Sequence, residues 1–77
     1  DIEHRITRFL ESHCDRTAGP KTIYIRMADL ARELNESRLD VSRALNRLSR
    51  QGLATLSRGR IIIPALEKLL MDRNHQN

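Results

Sequence analysis

The side chains in this sequence that are best suited to chemistry lie between residues 37 and 52. Arginine, serine and asparagine recur there at about 100° per residue, which puts them on one face of a helix. The members of this face are Leu39, Ser42, Arg43, Asn46 and Arg50. Guanidinium, hydroxyl and amide groups in such an array donate hydrogen bonds to phosphates and to base edges in the major groove. The pattern is therefore typical of a helix that binds nucleic acid.

Apolar residues on the other side of the same segment indicate how it is held. They are Val41, Ala44, Leu45 and Leu48. Ser37 followed by Asp40 is an acidic variant of the capping box, so the helix should begin there, and Gly52 supplies the left-handed residue that usually ends one. Asp40 belongs to the first turn, which leaves the basic face without a carboxylate. The helix alone leaves a second interpretation open, since arginines near a helix end also favour its dipole and a charged face keeps a domain in solution.

The elements before this helix favour the nucleic-acid interpretation. The apolar residues of the segment 27–34 share one face and predict a helix of about two turns. Arg26 stands where a Ser, Thr or Asp cap is usual, and Asp29 partly compensates through the helix dipole. Asn35 tolerates the left-handed conformation that a tight turn requires. Two short helices joined by about three residues, the second of them basic, form a helix-turn-helix.

Both ends of the chain are also predicted to be helical. Apolar residues at helical spacing predict a first helix over residues 2 to 15, followed by a Gly-Pro loop at 16–21. Pro64 suits the first turn of a last helix, and 72–77 should fray. The apolar edge of that last helix is formed by Leu66, Leu69 and Leu70.

Short strands complete the predicted fold. β-branched residues predict one strand at 22–25, and two more at 53–56 and 61–63 flank a turn at 57–60. The last two strands would form a hairpin, or wing, that carries Arg58 and Arg60 at its tip.

Composition limits the classes of partner. With 77 residues the chain is one small domain, its net charge is +4, and twelve of its fourteen basic residues are arginines. The planar fork of arginine suits phosphate and guanine better than the point charge of lysine does. Phe9 and Tyr24 are the only aromatic residues, which argues against modules that stack single-stranded bases on aromatic platforms.

Other chemistry finds little support. Cys14 is the single cysteine, which excludes an internal disulfide and fits a reducing, cytoplasmic compartment. No apolar run approaches the roughly 20 residues of a membrane span. A metal site from His4, His13, Cys14 and His75 is disfavoured, because adjacent helical residues point about 100° apart. No nucleophile, base and orienting group stand together, so we expect neither an enzyme nor a bound cofactor.

Three segments together resemble a known family. They are DLAREL at 29–34, SRLDVSRALNRLSRQGLA at 37–54 and SRGRIII at 57–63. In these, and in the order of elements from about Ile6 to Ile63, the chain resembles the DNA-binding domain of the Crp/Fnr family of bacterial transcription regulators. The resemblance implies a winged helix-turn-helix, mainly α with a small β wing, that spans 1–77 and binds double-stranded DNA sequence-specifically.

The resemblance also implies a larger protein. An amino-terminal β-barrel sensor and a long dimerising helix would precede this domain, and the full-length regulator would be a homodimer. The chain starts without methionine and enters an amphipathic pattern at once, so we expect it to be part of that longer protein. RNA polymerase is a further partner that the sequence leaves open.

Residue roles follow from the pattern and the resemblance together. In the family, the Ser-Arg pair that opens the recognition helix and the arginine one turn later meet phosphates and base edges; these are Ser37, Arg38 and Arg43 here. We predict base readers and phosphate binders. The base readers are Leu39, Ser42, Arg43 and Asn46. The phosphate binders are Arg26, Met27, Ser37, Arg38, Arg47, Arg58 and Arg60.

Leu39 departs from the family pattern, which commonly has glutamate at this position. Leucine accepts no hydrogen bond, but its methyl groups can pack on the methyl group of thymine. A surface leucine packed on its own helix is the other interpretation. For the whole domain two alternatives stay open: a winged helix that binds proteins instead of DNA, and a stand-alone winged-helix repressor of another family.

Overall fold

Four helices and a three-stranded sheet make up the computed structural model, which describes residues 1–14 and 19–75. In chain order the elements are α1 (Ile2–Ser12), β1 (Lys21–Ile23), α2 (Met27–Leu34), α3 (Arg38–Arg50), β2 (Thr55–Ser57), β3 (Arg60–Ile63) and α4 (Leu66–His75). The sheet is antiparallel with the order β1-β3-β2. This is the predicted winged helix-turn-helix, mainly helical with a small β wing.

The core is built from the apolar stripes that the sequence predicts. Helix α3 buries Val41, Ala44, Leu45 and Leu48, and α2 buries Leu30, Ala31 and Leu34. Ile61 and Ile63 of β3 are fully buried between exposed or half-buried neighbours, as the two-residue period of a strand requires. Because α2 and α3 pack against each other in this core, α3 is held in a defined orientation relative to the rest of the domain.

Helix α1 ends earlier than predicted. The Asp1 carboxylate caps its start by accepting from the His4 N–H at 2.8 Å. It ends at Ser12, not near residue 15, and His13 is exposed. The Ser12 hydroxyl donates to the Phe9 carbonyl at 2.7 Å, and such side-chain bonds to the backbone compete with helix continuation. Residues 16–18 of the predicted loop at 16–21 lie outside the described residues, and Lys21 is already the first residue of β1.

The strands are shifted from their predicted positions for an identifiable reason. The Leu53 N–H donates to the Leu48 carbonyl at 3.0 Å, and Gly52 takes a left-handed φ of 72°. Leu53 and Ala54 therefore close the end of α3 and enter the core, so the strand starts only at Thr55. β1 covers residues 21–23 in place of the predicted 22–25. Its three residues pair with residues 63, 62 and 61 of β3 in that order, and the pairing ends at Ile23.

The last helix is attached to the segment before β1. The Leu66 N–H donates to the Gly19 carbonyl at 2.9 Å, and the Gly19 N–H donates to the Glu67 carboxylate at 2.8 Å. This bond to the charged carboxylate lowers the pKa of Glu67. The backbone remains helical to His75, beyond the point where fraying was predicted, and residues 76–77 lie outside the description.

Candidate nucleic-acid interface

The turn between α2 and α3 has the conformation that the sequence predicts. Asn35 is left-handed, with φ 55° and ψ 44°. The Glu36 N–H donates to the Ala31 carbonyl at 3.0 Å, which closes the end of α2. Ser37 is the N-cap of α3, and its Oγ accepts from the Asp40 N–H at 3.1 Å. These local bonds set where α3 begins, and so which of its residues face outward.

Helix α3 has a buried face and an open face. Leu39 exposes 57% of its surface, although large apolar side chains are usually buried. Arg43, Asn46 and Arg50 are exposed beside it, and Ser42 is half-buried at the edge. The helical period explains the difference, because Ser42 lies about 70° from the middle of this face. The four predicted base readers therefore share one side of α3, with Ser42 nearest the body of the domain.

The open face keeps its hydrogen-bonding groups available. Among residues 1–14 and 19–71, nothing forms an ion pair or side-chain hydrogen bond with Arg38, Arg43 or Asn46. Neither the wing nor α1 covers them. Guanidinium and amide donors without a partner on a solvent-facing helix are able to bind an external anion or a base edge.

The wing carries two more exposed arginines. Ser57 pairs with Arg60 across the hairpin, so Arg58 and Gly59 form its two-residue tip. Gly59 adopts φ 66°, a conformation that costs a glycine little. Arg58 and Arg60 are both exposed, and β2 packs against α3. The tip is thus an exposed basic turn at the end of a strand that packs against α3.

The start of α2 provides a weaker anion site than the wing. Arg26 is the N-cap by position only, and its Nε lies 3.2 Å from Asp29 Oδ2. Asp29 also lies 3.4 Å from Arg32, so its charge is shared between two arginines. The Met27 side chain packs against the core, which leaves its backbone N–H as the group that could meet a phosphate.

Arg47 differs from the other predicted phosphate binders. Its Nε donates to the carboxylate of Glu3 on α1. Two residues further along α1, Arg5 donates to the Glu36 carboxylate and to the Leu34 carbonyl. Sequence reasoning missed both pairs, since they join positions 44 and 31 residues apart and leave no local pattern. A phosphate contact by Arg47 would require the Glu3 pair to open.

In the described part of the chain, no group of three or more His, Cys, Asp or Glu side chains is placed to hold a metal ion. The His13 ring stacks near Phe9, with ring centroids 4.2 Å apart, and the Cys14 thiol donates to the Leu10 carbonyl. No described helix combines the length and the apolar character that crossing a membrane would need.

The fold and this surface define a DNA-binding domain of the winged helix-turn-helix class. A family model, the Crp-like helix-turn-helix domain, matches residues 4–71. The chain belongs to this family, and the resemblance to Crp/Fnr transcription regulators is confirmed. The alternative of a repressor from another winged-helix family is therefore set aside.

Solved structures give the same fold within longer proteins. A candidate cyclic nucleotide binding protein from Ruegeria pomeroyi superposes with a TM-score of 0.81 at 25% identity, over 97% of this chain and 33% of that one. Reduced CprK without ligand superposes with a TM-score of 0.74 at 16% identity, over 92% of this chain and 37% of that one. Oxidized CprK in complex with o-chlorophenolacetic acid superposes with a TM-score of 0.70 at 20% identity, over 87% of this chain and 30% of that one. This chain spans about a third of the length of each. A comparison with curated proteins gave no match.

Proposed function

We propose that the domain binds double-stranded DNA sequence-specifically, with α3 in the major groove and the wing on the phosphates. One observation carries the proposal: α3 buries one face completely and presents Leu39, Arg43 and Asn46 to solvent, with no partner for the two polar side chains among the described residues. The helix has 13 residues and is therefore about 20 Å long, and the diameter of an α-helix with its side chains, about 10–12 Å, fits a major groove roughly 12 Å wide.

Arg43 is the principal base reader in this proposal. Its two terminal nitrogens donate to O6 and N7 of guanine, a contact worth about 1–3 kcal/mol of discrimination. Asn46, one turn later, and Ser42 at the edge of the face contact neighbouring base edges or the adjoining backbone. Leu39 packs its methyl groups on the methyl group of a thymine, which a glutamate at this position could not do.

The phosphate contacts fix the position of α3 without reading sequence. We assign them to Ser37, Arg38 and the wing residues Arg58 and Arg60, with the Met27 N–H and Arg26 at the start of α2 as a further site. About four neutralised phosphates give a logarithmic salt slope near −4 for each domain.

Tight binding requires two domains. Domains of this class bind two half-sites about 34 Å apart, so a single copy should bind weakly. The structural neighbours, about three times as long, support the proposal that this chain is part of a longer cytoplasmic regulator. In that regulator a preceding sensor portion would hold two copies as a homodimer and change their presentation on effector binding. Contact with RNA polymerase belongs to the same proposal.

A binding-site selection on random duplexes tests this function. Two copies of the chain joined by a dimerising coiled coil are used, with Arg43→Ala/Asn46→Ala as the matched control. We expect the parent to enrich DNA sequences with an inverted pair of half-sites that contain guanine. The control should enrich no sequence. A folded parent that enriches no sequence would overturn the proposal and favour a protein-binding winged helix.

A further inference from the structure

Two arginine–glutamate pairs join helix α1 to the helix-turn-helix. In one pair α1 supplies the glutamate, and in the other it supplies the arginine. In the first, Glu3 of α1 accepts from Arg47 of α3. In the second, Arg5 of α1 donates to Glu36 in the turn and to the Leu34 carbonyl at the end of α2. Only the first pair involves an arginine of the helix that we place in the groove.

In the first pair, Glu3 is the more buried partner and Arg47 the more exposed one. The Glu3 side chain is only 14% exposed, whereas that of Arg47 is 48% exposed. Glu3 lies in the first turn of α1, where the helix dipole favours an acid. The carboxylate is therefore held in place on the side of α3, and the arginine is the partner that can turn outward.

Arg47 lies at one edge of the open face of α3. It follows Arg43 by one turn and is about 70° from the middle of the open face, on the opposite edge from Ser42. A carboxylate and a phosphate can each accept two parallel hydrogen bonds from a guanidinium. In the proposed complex, a phosphate and the Glu3 carboxylate would therefore compete for the same guanidinium.

We propose that Glu3 is an intramolecular competitor that withholds Arg47 from DNA and so restrains sequence-independent binding. This inference depends on the proposed function. The contact that is withheld would be to phosphate, so its loss lowers the affinity for every DNA sequence and leaves base reading by Arg43 intact. Glu3 acts through Arg47 and is thus a positioning residue, without a DNA contact of its own.

The test measures the binding of the 77-residue chain to a random duplex over a range of salt concentrations. Glu3→Gln keeps the shape and removes the charge. We expect its affinity to rise about threefold at low salt, and its logarithmic salt slope to steepen by about 0.9, the contribution of one phosphate. In Glu3→Gln/Arg47→Gln the rise should disappear.

Two matched variants separate this mechanism from a general charge effect. Glu11→Gln removes an exposed acid elsewhere on α1, and Glu36→Gln breaks the second pair; each should raise affinity less than Glu3→Gln does and leave the slope unchanged. An increase in Glu3→Gln that persists without Arg47, or an equal increase in Glu11→Gln, would overturn the inference.

A further comparison does not depend on the folding of Glu3→Gln. Arg47→Gln alone should leave the salt slope of the parent unchanged, whereas Arg58→Gln in the wing should reduce it by about 0.9. A slope that falls equally in both variants would show that Arg47 already binds phosphate. If the parent binds no DNA at all, the proposed function fails; if the parent binds and only these differences are missing, the competitor role fails alone.

Discussion

Two arginines of α3, Arg43 and Arg47, differ in whether the domain itself supplies a partner for the side chain. Arg43 on the open face has no partner among the described residues, and Arg47 one turn later is paired with Glu3 of α1. The residue type, the helix and the solvent exposure are alike. What differs is whether a neighbouring element offers a carboxylate. The placement of acids, more than the number of arginines, therefore decides which arginines of α3 remain unpaired among the described residues.

The largest expected effect comes from removing the arginine on the open face. Arg43→Ala should weaken binding to a selected site by about 10- to 100-fold, because a bidentate contact to guanine is lost. Binding to a random duplex should fall only a few-fold. Titration of both duplexes by fluorescence anisotropy measures the dissociation constant for each. Equal losses on the two duplexes would remove Arg43 from base reading.

The start of α3 gives the next largest effect, this time on stability. Ser37→Ala removes the oxygen that accepts from the Asp40 N–H and should cost about 1 kcal/mol. For a domain of this size that lowers Tm by roughly 4–8 °C. The control is Ser49→Ala, an exposed serine inside the same helix, which should not lower Tm. A Ser37→Ala domain as stable as the parent would mean that the cap contributes nothing.

The second pair between α1 and the helix-turn-helix, Arg5 with Glu36, should affect stability without affecting binding. Arg5→Gln loses the contacts to Glu36 and to the Leu34 carbonyl. Since both charged groups are partly exposed, we expect a loss of at most about 1 kcal/mol in the free energy of unfolding. The affinity for random DNA should change less than twofold. A large loss of DNA affinity with unchanged stability would place Arg5 at the interface.

The smallest effect is a pH dependence at Glu67, far along the chain from the open face. The Gly19 N–H donates to its ionised carboxylate and lowers its pKa in the folded protein. The unfolded chain therefore binds the proton more readily. The stabilisation is fully present above the unfolded pKa and is lost as pH falls through the folded pKa. Thermal unfolding between pH 7 and 3 should show a shallower acid decline in Glu67→Gln than in the parent; identical declines would argue against this contact.

Local sequence signals were sufficient for the elements that bear the site. Ser37 before Asp40, Asn35 in the turn and Gly52 after the helix each act within a few residues, and the structure confirms all three. The open and buried faces of α3 follow directly from its period.

Contacts between distant segments explain what could not be predicted. Glu3 and Arg47 are 44 residues apart, and nothing near either residue indicates the other. Leu53 looked like the first residue of a strand, but its N–H closes the end of α3 and its side chain enters the core. The first pair has no local signal at all, and the position of Leu53 is decided by burial of its side chain in a core that distant segments build.

Recognition of guanine by Arg43 on the open face of α3 can be tested directly. Guanine in the selected half-site is replaced by 7-deazaguanine, which lacks the N7 acceptor, and binding of the parent and of Arg43→Ala is compared in a double-mutant cycle. We expect the replacement to weaken binding of the parent by about threefold to tenfold and to leave binding of Arg43→Ala unchanged. An equal loss in both proteins would contradict it.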